Sequence, residues 1–394
     1  MKILYITLEN LSLHKGSVVH IKEVIDGLQK RGHQVGLIGS AWTKLENSYH
    51  FYNIHPKTFF PFKYLIHKEK AYFVLSILLL FTLFKVLRQY NLIYARDFHT
   101  AIISLIPRII FNKKLVFEIN GIANEEQRLK SDSILNRVLV FFIKKAEKIA
   151  TRCSDRIVSV TPQIAAYLTQ YFHCPPEKVK VIGNGVNTKK FYPIHDESIL
   201  WRGRERLGIA KEDTVIAFIG NLAPWQGVNI LIESAFLLFP NQLKFLIVGE
   251  GFLKDSLIKR VSNSEYKEKF IFTGMINYEE IPILINIADI CVAPFISRRN
   301  RITGVSPIKV FEYMACGKPV ICSRIEGLEF VEVEGVGRLI VPEDIIDLRE
   351  GLLDLMKNPQ KRVNMGNNGF KIAREKFDWE LKSTLIEKVL KELA

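Results

Sequence analysis

The chain is poor in the residues that define several common protein classes. It has five cysteines, Cys153, Cys174, Cys291, Cys316 and Cys322, an odd number with no pair at metal-ligand spacing. A disulfide framework is therefore not expected, and a reducing compartment is. No Asp-x-Asp pair occurs in 394 residues. The usual carboxylate clamp for a metal–diphosphate pair is thus missing, and no metal site is expected. The apolar run at 71–84, AYFVLSILLLFTLF, has fourteen uncharged residues, short of the roughly 18–20 that cross a bilayer. The opening MKILYITLEN breaks its apolar stretch at Glu9, and no small-residue cleavage site follows. It reads as a first buried strand, not a secretory signal. Tandem repeats and low-complexity segments are lacking too.

What is present is a globular chain, 48% hydrophobic and 24% charged, long enough for two domains. Its net charge of +14 is uneven. Residues 1–200 carry 28 Lys and Arg against 15 Asp and Glu, or +13; residues 201–394 carry 27 against 26, or +1. One half is expected to face something anionic. Zinc, helix-turn-helix and RNA-binding signatures are missing, so nucleic acid is not expected. An anionic membrane surface fits the basic half better. Lys68 and Lys70 precede the run 71–84 and Lys85 and Arg88 follow it, which leaves two readings: a buried or interdomain helix, or an interfacial membrane-docking helix.

Short apolar runs alternate with helical patterns throughout, the mark of parallel sheets. In the first half, strands are expected at 2–8, 33–39, 91–96, 114–120, 156–161 and 178–186. Helices are expected at 18–32, with Val18, Ile21, Val24, Ile25 and Leu28 on one face, and near 69–89, 97–110 and 131–153. The second half restarts the pattern with strands at 214–222, 243–251, 269–277, 288–295, 318–323 and 337–343. The fold class is α/β, with two doubly wound, Rossmann-like domains facing across a cleft and ligands at the carboxyl ends of the strands. The boundaries read as 1–192, a linker at 193–205, and 206–376.

Two loops could hold a phosphate. Gly16 and Ser17 open the first helix, with Ser17 as its cap; an ordinary capped turn is the alternative. In RITGVSPIKVFEYMA, 301–315, Ser306 can cap a helix and Pro307 suits its first position. Lys309 then lies in the first turn, where the helix dipole disfavours a cation unless an anion is near. Glu312 sits in an otherwise apolar run. A ribose diol would give that carboxylate two hydroxyl donors, and a salt bridge within the domain is the other reading. The basic stretch 297–301, SRRNR, reads as a solvated loop, with contact to an acidic sugar such as a uronate as the other reading. His14, His20 and His99 suit packing or capping as well as substrate contact.

Several stretches together carry a resemblance: NGVNTKKFYP (184–193), FIGNLAPWQGVNILIESA (218–235), LIVGEGFLKDSL (246–257), FTGMINYEEIPILINIADICVAPF (272–295) and SPIKVFEYMACGKPVICS (306–323). In that order they resemble the retaining family-four glycosyltransferases of the GT-B fold, in the variant that builds surface polysaccharides. The resemblance implies an N-terminal acceptor domain, a C-terminal nucleotide-sugar domain, and a final helix, 377–394, crossing back onto the N-terminal domain. It implies a UDP- or GDP-sugar as donor substrate, no cofactor, a lipid-linked or polysaccharide acceptor, and a cytoplasmic, peripheral place on the inner face of the plasma membrane. Departures are clear: the family's paired glutamate falls on Gly304, its phosphate-binding Arg and Lys on Asn221 and Gln226, and a His near the reacting sugar on Asn120. The resemblance then implies Lys309, with Arg301 or a neighbour, at the phosphates. Asn120 and Gly16 join Lys309 as catalytic candidates. Glu312, Ser306, Pro307, Ile308, Asn221, Gln226, Gly249, Gly251, Met275, Ile276 and Ser17 are the donor-binding ones. A catalytically silent GT-B subunit that only binds nucleotide sugar, or a GT-B sugar-nucleotide epimerase, are the rival readings.

Overall fold

A computed structural model describes residues 1–393 apart from 14, 42–48, 55–67 and 239–241; of residues 68–73 and 299 it describes the backbone. His14 lies outside the described residues. The chain divides into two compact units, the first Met1–Gly183 with Glu380–Ala394, the second Asn184–Trp379.

The first unit holds a seven-stranded, wholly parallel sheet. Its strands are β1 (Lys2–Asn10), β2 (Gln34–Ser40), β3 (His50–Asn53), β4 (Leu92–Arg96), β5 (Lys114–Ile119), β6 (Arg156–Ser159) and β7 (Val179–Val181), in the order β3-β2-β1-β4-β5-β6-β7. The order reverses between β1 and β4, where the crossovers leave to opposite faces. Such a switch point leaves the strand ends uncovered. The helix Gly16–Lys30 buries Val18, Ile21, Val24, Ile25 and Leu28 as their spacing predicts, and His20 with them; each fully buried aliphatic contributes about 1.5–3 kcal/mol.

The run 71–84 lies in the helix Lys68–Val86, which buries Leu75, Leu79, Leu83 and Val86 in the core and leaves Phe81 71% exposed. No helix among the described residues is long and apolar enough to cross a membrane. The helix Trp379–Lys391 is tied to the rest of this unit by Arg31 Nη2 donating to Glu380 O (2.9 Å), by His33 Nε2 3.0 Å from Glu387 Oε1, and by Arg156 Nε donating to Glu392 Oε2 (3.2 Å).

The second unit holds six parallel strands, β8 (Thr214–Ile219), β9 (Leu243–Val248), β10 (Phe270–Gly274), β11 (Ile290–Ala293), β12 (Val320–Ser323) and β13 (Gly337–Ile340), in the order β10-β9-β8-β11-β12-β13. Both faces are covered. Val215, Ala217 and Ile219 of β8 enter one core, and Ile216 and Phe218 the other. That explains the unbroken apolar runs. Here the switch point lies between β8 and β11, which pair only at Ile290–Ile216 and Cys291–Ala217. The expected loop at 297–301 is instead part of a short helix, Ser297–Thr303. The residues at 193–205 include most of a helix, Glu197–Arg206, within this unit.

One close approach sets the packing of the helices Ile308–Ala315 and Pro359–Lys376. A Cβ on Gly366 would stand 2.1 Å from the backbone oxygen of Gly317. Gly366→Ala therefore forces these backbones apart. It should lower the unfolding free energy by about 1–3 kcal/mol in urea titrations, despite alanine's better helix propensity.

Candidate functional site

The second unit gathers most of the sequence-predicted residues at the carboxyl ends of β8, β9 and β10. Gly220 N donates to Val248 O (2.9 Å), Leu222 N to Glu250 O (2.9 Å), Gly249 N to Gly274 O (2.9 Å) and Leu253 N to Leu222 O (2.9 Å). These bonds clamp three strand-end loops together. Gly249 has φ 135°, and a Cβ there would meet Gly220 O at 2.0 Å, so only glycine permits the approach. A Cβ on Gly251 would stand 2.4 Å from Asn221 Oδ1, which places Asn221 against Gly251. Met275 is half exposed, and Ile276 packs against the core.

The helix Ile308–Ala315 faces this rim across the switch point. Its start differs from expectation. Pro307, not Ser306, is the cap residue, and no side chain caps the helix. Ser306 is held instead by Asn184, whose backbone N donates to Ser306 Oγ (2.8 Å) while Nδ2 donates to Ser306 O (2.6 Å). The hydroxyl that could have capped thus anchors the chain entering this unit. Ile308 is half-buried behind it.

Lys309 reaches from that helix to the end of β8. Its Nζ donates to Gln226 Oε1 (2.7 Å) and sits 4.0 Å from the centroid of the Phe218 ring. A Cβ on Gly220 would meet Nζ at 2.6 Å. The cation that positions 221 and 226 lack is therefore supplied from another helix to the same place. Among the described residues no carboxylate pairs with Lys309. Burial lowers its pKa to about 7, and the charge of Glu312 only partly opposes the shift. A half-buried ammonium with a neutral amide and a ring for company is an anion site in its chemistry.

Glu312 is 6% exposed, and Tyr278 Oη donates to its Oε1 (2.7 Å). The neighbouring Tyr313 does something the sequence did not signal. Its hydroxyl accepts from Ile219 N (2.9 Å) and donates to Ile219 O (3.2 Å). Ile219 is the last residue of β8, beyond the pairing with β11, so one buried hydroxyl satisfies both backbone groups that the diverging strands leave unpaired.

A second cluster lies at the switch point of the first unit. The helix Gly16–Lys30 starts at Gly16 with Lys15 as cap residue and no side-chain cap. Ser17 therefore sits inside the first turn and does not cap, because the chain enters the helix two residues earlier than expected. Asn120, exposed at the end of β5, donates Nδ2 to Glu118 Oε1 (2.8 Å). Glu118 is fully buried. It also accepts from Tyr94 Oη at Oε2 (2.7 Å), and its Oε1 lies 2.8 Å from His20 Nε2 and 3.5 Å from Arg96 Nε. Burial alone would raise this carboxyl; the His20 ring, Arg96 and the Asn120 amide outweigh it and hold it at about 2. Tyr5 stacks on Tyr94 at 5.0 Å, and its buried hydroxyl has no hydrogen-bond partner among the described residues.

Next to this cluster, Asp97 has φ 104° and ψ 158°, a region that non-glycine residues adopt only at a cost of about 1–3 kcal/mol. Its Oδ1 accepts from Thr100 N (2.9 Å), and burial raises its pKa to about 7 against that bond. None of Glu118, Arg96, Tyr94 or Asp97 stood out by spacing. The one available signal was their place at the carboxyl ends of adjacent strands. His99 is exposed and 3.9 Å from Asp97. Among the described residues no cluster of His, Cys, Asp and Glu could hold a metal ion.

Residues 14–190 match the family described as Glycosyltransferase Family 4, and residues 201–372 match Glycosyl transferases group 1. An uncharacterized glycosyltransferase of Methanocaldococcus jannaschii is 24% identical over 388 residues, 93% of this chain and 91% of its own length. The UDP-Gal:alpha-D-GlcNAc-diphosphoundecaprenol alpha-1,3-galactosyltransferase of Escherichia coli is 25% identical over 311 residues, 75% of this chain and 76% of its own. Among solved structures, the sucrose-phosphate synthase of Thermosynechococcus elongatus matches with a TM-score of 0.82 at 19% identity, covering 100% of this chain and 98% of that one. A likeness at that identity speaks to the fold.

The lowered pKa of Lys309 gives a pH signature. Between about 7 and the ordinary 10.5 the unfolded chain binds more protons than the folded one, so this group makes stability rise with pH. The charge penalty is fully present below the folded value and gone above the unfolded one. Lys309→Met should therefore raise the unfolding midpoint most at about pH 6 and least at about pH 10. A pH-independent difference between variant and wild type would refute the burial of this charge.

Proposed function

The chain belongs to the family-four glycosyltransferases of the GT-B fold, and on that premise we propose that it moves a sugar from a nucleotide diphosphate donor to a lipid-linked or polysaccharide acceptor, with retention at the anomeric carbon and without a metal ion. One observation carries the reading. Lys309, a half-buried cation with no carboxylate partner among the described residues, stands at a helix start beside the glycine-lined ends of β8 and β9. A diphosphate is the ligand that satisfies such a cation together with free backbone amides.

In this reading the donor lies on the second unit. Its diphosphate meets Lys309 and the backbone N–H of Ile308, Gln226 and Asn221 add neutral hydrogen bonds, and Glu312 holds the ribose diol. The base rests against Gly249, Gly251, Met275 and Ile276. As the bond from the anomeric carbon to the diphosphate oxygen breaks, charge grows on the leaving group. Lys309, which takes up a proton from solvent as the anion arrives, stabilises that charge. The acceptor oxygen bonds to the same face of the anomeric carbon, and its proton passes to the departing phosphate oxygen, so no protein nucleophile is required. Acceptor recognition falls to the first unit, where Asn120 and the helix start at Gly16 and Ser17 offer polar groups at strand ends. The Escherichia coli relative, named for a UDP-sugar and a diphospholipid acceptor, supports this choice of substrate classes.

A screen of UDP- and GDP-sugars with membrane extract as acceptor, read by released nucleotide, should reveal the donor. With that donor, Lys309→Ala should lower turnover by roughly ten- to a thousand-fold, the range for loss of one charge-stabilising group. Glu312→Ala should mainly weaken nucleotide binding. Nucleotide binding at about pH 8 should also take up a proton, seen as a dependence of the binding heat on buffer ionisation, and Lys309→Met should abolish it. Wild-type kinetics in both alanine variants would overturn the assignment. Binding without turnover would identify a silent binding subunit, and change of the sugar without acceptor would identify an epimerase.

A further inference from the structure

The loop after β10 contributes more than the two residues assigned to the base. Gly274, with φ 69°, turns the chain out of the strand, and its carbonyl accepts from Gly249 N (2.9 Å). Met275 and Ile276 come next. Two residues further on, the Tyr278 hydroxyl donates to Glu312 Oε1 (2.7 Å), and Tyr278 O accepts from Ile281 N (3.3 Å) as the helix Ile281–Asn286 begins. The loop is thus fixed at both ends, and one side chain ties it to the helix Ile308–Ala315. Lys309 and Glu312 lie three residues apart on that helix, on one face.

The Tyr278 ring is itself held. In the turn at 187–191, Lys190 N (3.0 Å) and Phe191 N (2.8 Å) both donate to Asn187 O. That turn sets two side chains against the ring. The Phe191 ring, fully buried, lies 5.5 Å away between centroids, and Lys190 Nζ lies 4.0 Å from the Tyr278 centroid. Glu279 Oε1 accepts from Lys190 Nζ (2.6 Å), which keeps the ammonium over the ring. A cation above a phenol ring draws electron density from it. The hydroxyl becomes a stronger donor to a carboxylate.

The energetics show which member of the pair is costly. Tyr278 is half-buried, and a half-buried hydroxyl can be satisfied by water. The fold gains little by adding a carboxylate to it. Glu312, 6% exposed in an apolar helix, needs donors to stay ionised. A carboxylate offers about four acceptor sites. Tyr278 takes one and so fixes the rotation of the group about its Cγ–Cδ bond. A carboxylate plane already fixed meets the two hydroxyls of a vicinal diol without losing that freedom on binding.

We infer that Tyr278, braced by Lys190 and Phe191, is a positioning residue that sets the Glu312 carboxylate for a ribose diol and so makes the site selective for ribonucleotide over 2′-deoxyribonucleotide ligands. The inference rests on the reading of Glu312 as the ribose ligand. Met275 and Tyr278 then let one loop meet the base directly and the ribose through Glu312.

Calorimetric titration of the full chain with UDP and GDP, each beside its 2′-deoxy form, tests this. One of the two should bind wild type roughly ten- to a hundred-fold more tightly in the ribose form, the range for one hydrogen bond to a charged group. Glu312→Gln should remove most of that preference. Tyr278→Phe loses one oxygen, keeps the ring against Phe191, and should cut the preference at least about threefold, chiefly by weakening the ribose form. Lys190→Met leaves the hydroxyl in place and should cut it about twofold. The ratio compares two ligands on one variant, so a general loss of stability does not move it. An unchanged ratio in Tyr278→Phe, with the preference lost in Glu312→Gln, would overturn the positioning role while the ribose reading stands. An unchanged ratio in Lys190→Met would overturn the part given to Lys190. Wild-type preference in Glu312→Gln, or no preference or binding in the wild type, would remove the ribose reading and this inference together.

Discussion

Each unit is governed by the point where its parallel sheet reverses order. Strands that diverge there cannot satisfy one another's last backbone groups, and an unpaired buried amide or carbonyl costs about 1–3 kcal/mol. In the second unit the Tyr313 hydroxyl resolves both deficits of Ile219 at once. That fixes the helix Ile308–Ala315 to the end of β8, although 94 residues separate the two partners. Lys309 and Glu312 share the helix with Tyr313, so the anchor that completes the sheet also positions the cation and the carboxylate. The structural constraint and the chemical site are held by the same turn of helix.

The two switch points treat charge in opposite ways. In the first unit Glu118 is saturated by His20, Arg96, Tyr94 and Asn120 and is held firmly ionised. A buried carboxylate so furnished is rigid and orients whatever it touches; here that includes Asn120. In the second unit Lys309 has, among the described residues, only an amide acceptor and aromatic faces. It is undersupplied, and its proton is loosely held. The saturated group belongs to a scaffold; in the proposed function the undersupplied one lies where a ligand completes the coordination.

Much of this was legible in the residue pattern. The apolar runs located most of the strands, because strands covered on both faces have no reason to alternate. The stripe of Val18, Ile21, Val24, Ile25 and Leu28 marked its helix correctly. The odd placement of Lys309 and Glu312 marked them as candidates, since a cation in a first turn and a carboxylate in an apolar run both break local rules. What failed was local in form but decided by distant residues. Ser306 has the chemistry of a cap, yet Asn184 claims it. Ser17 has it too, yet the helix begins before it. The cluster around Glu118 was hidden because its members come from separate strands and the first helix.

The division of the chain has a further consequence during synthesis. The second unit is one continuous segment, whereas the first needs the terminal helix Trp379–Lys391 to meet Arg31, His33 and Arg156. At about 5–20 residues per second, translation of the intervening unit occupies on the order of ten to forty seconds. For that time the earlier unit waits without its last helix, and the later unit can finish first. Loss of the helix Trp379–Lys391 would therefore strip contacts from Arg31, His33 and Arg156, in the unit made first.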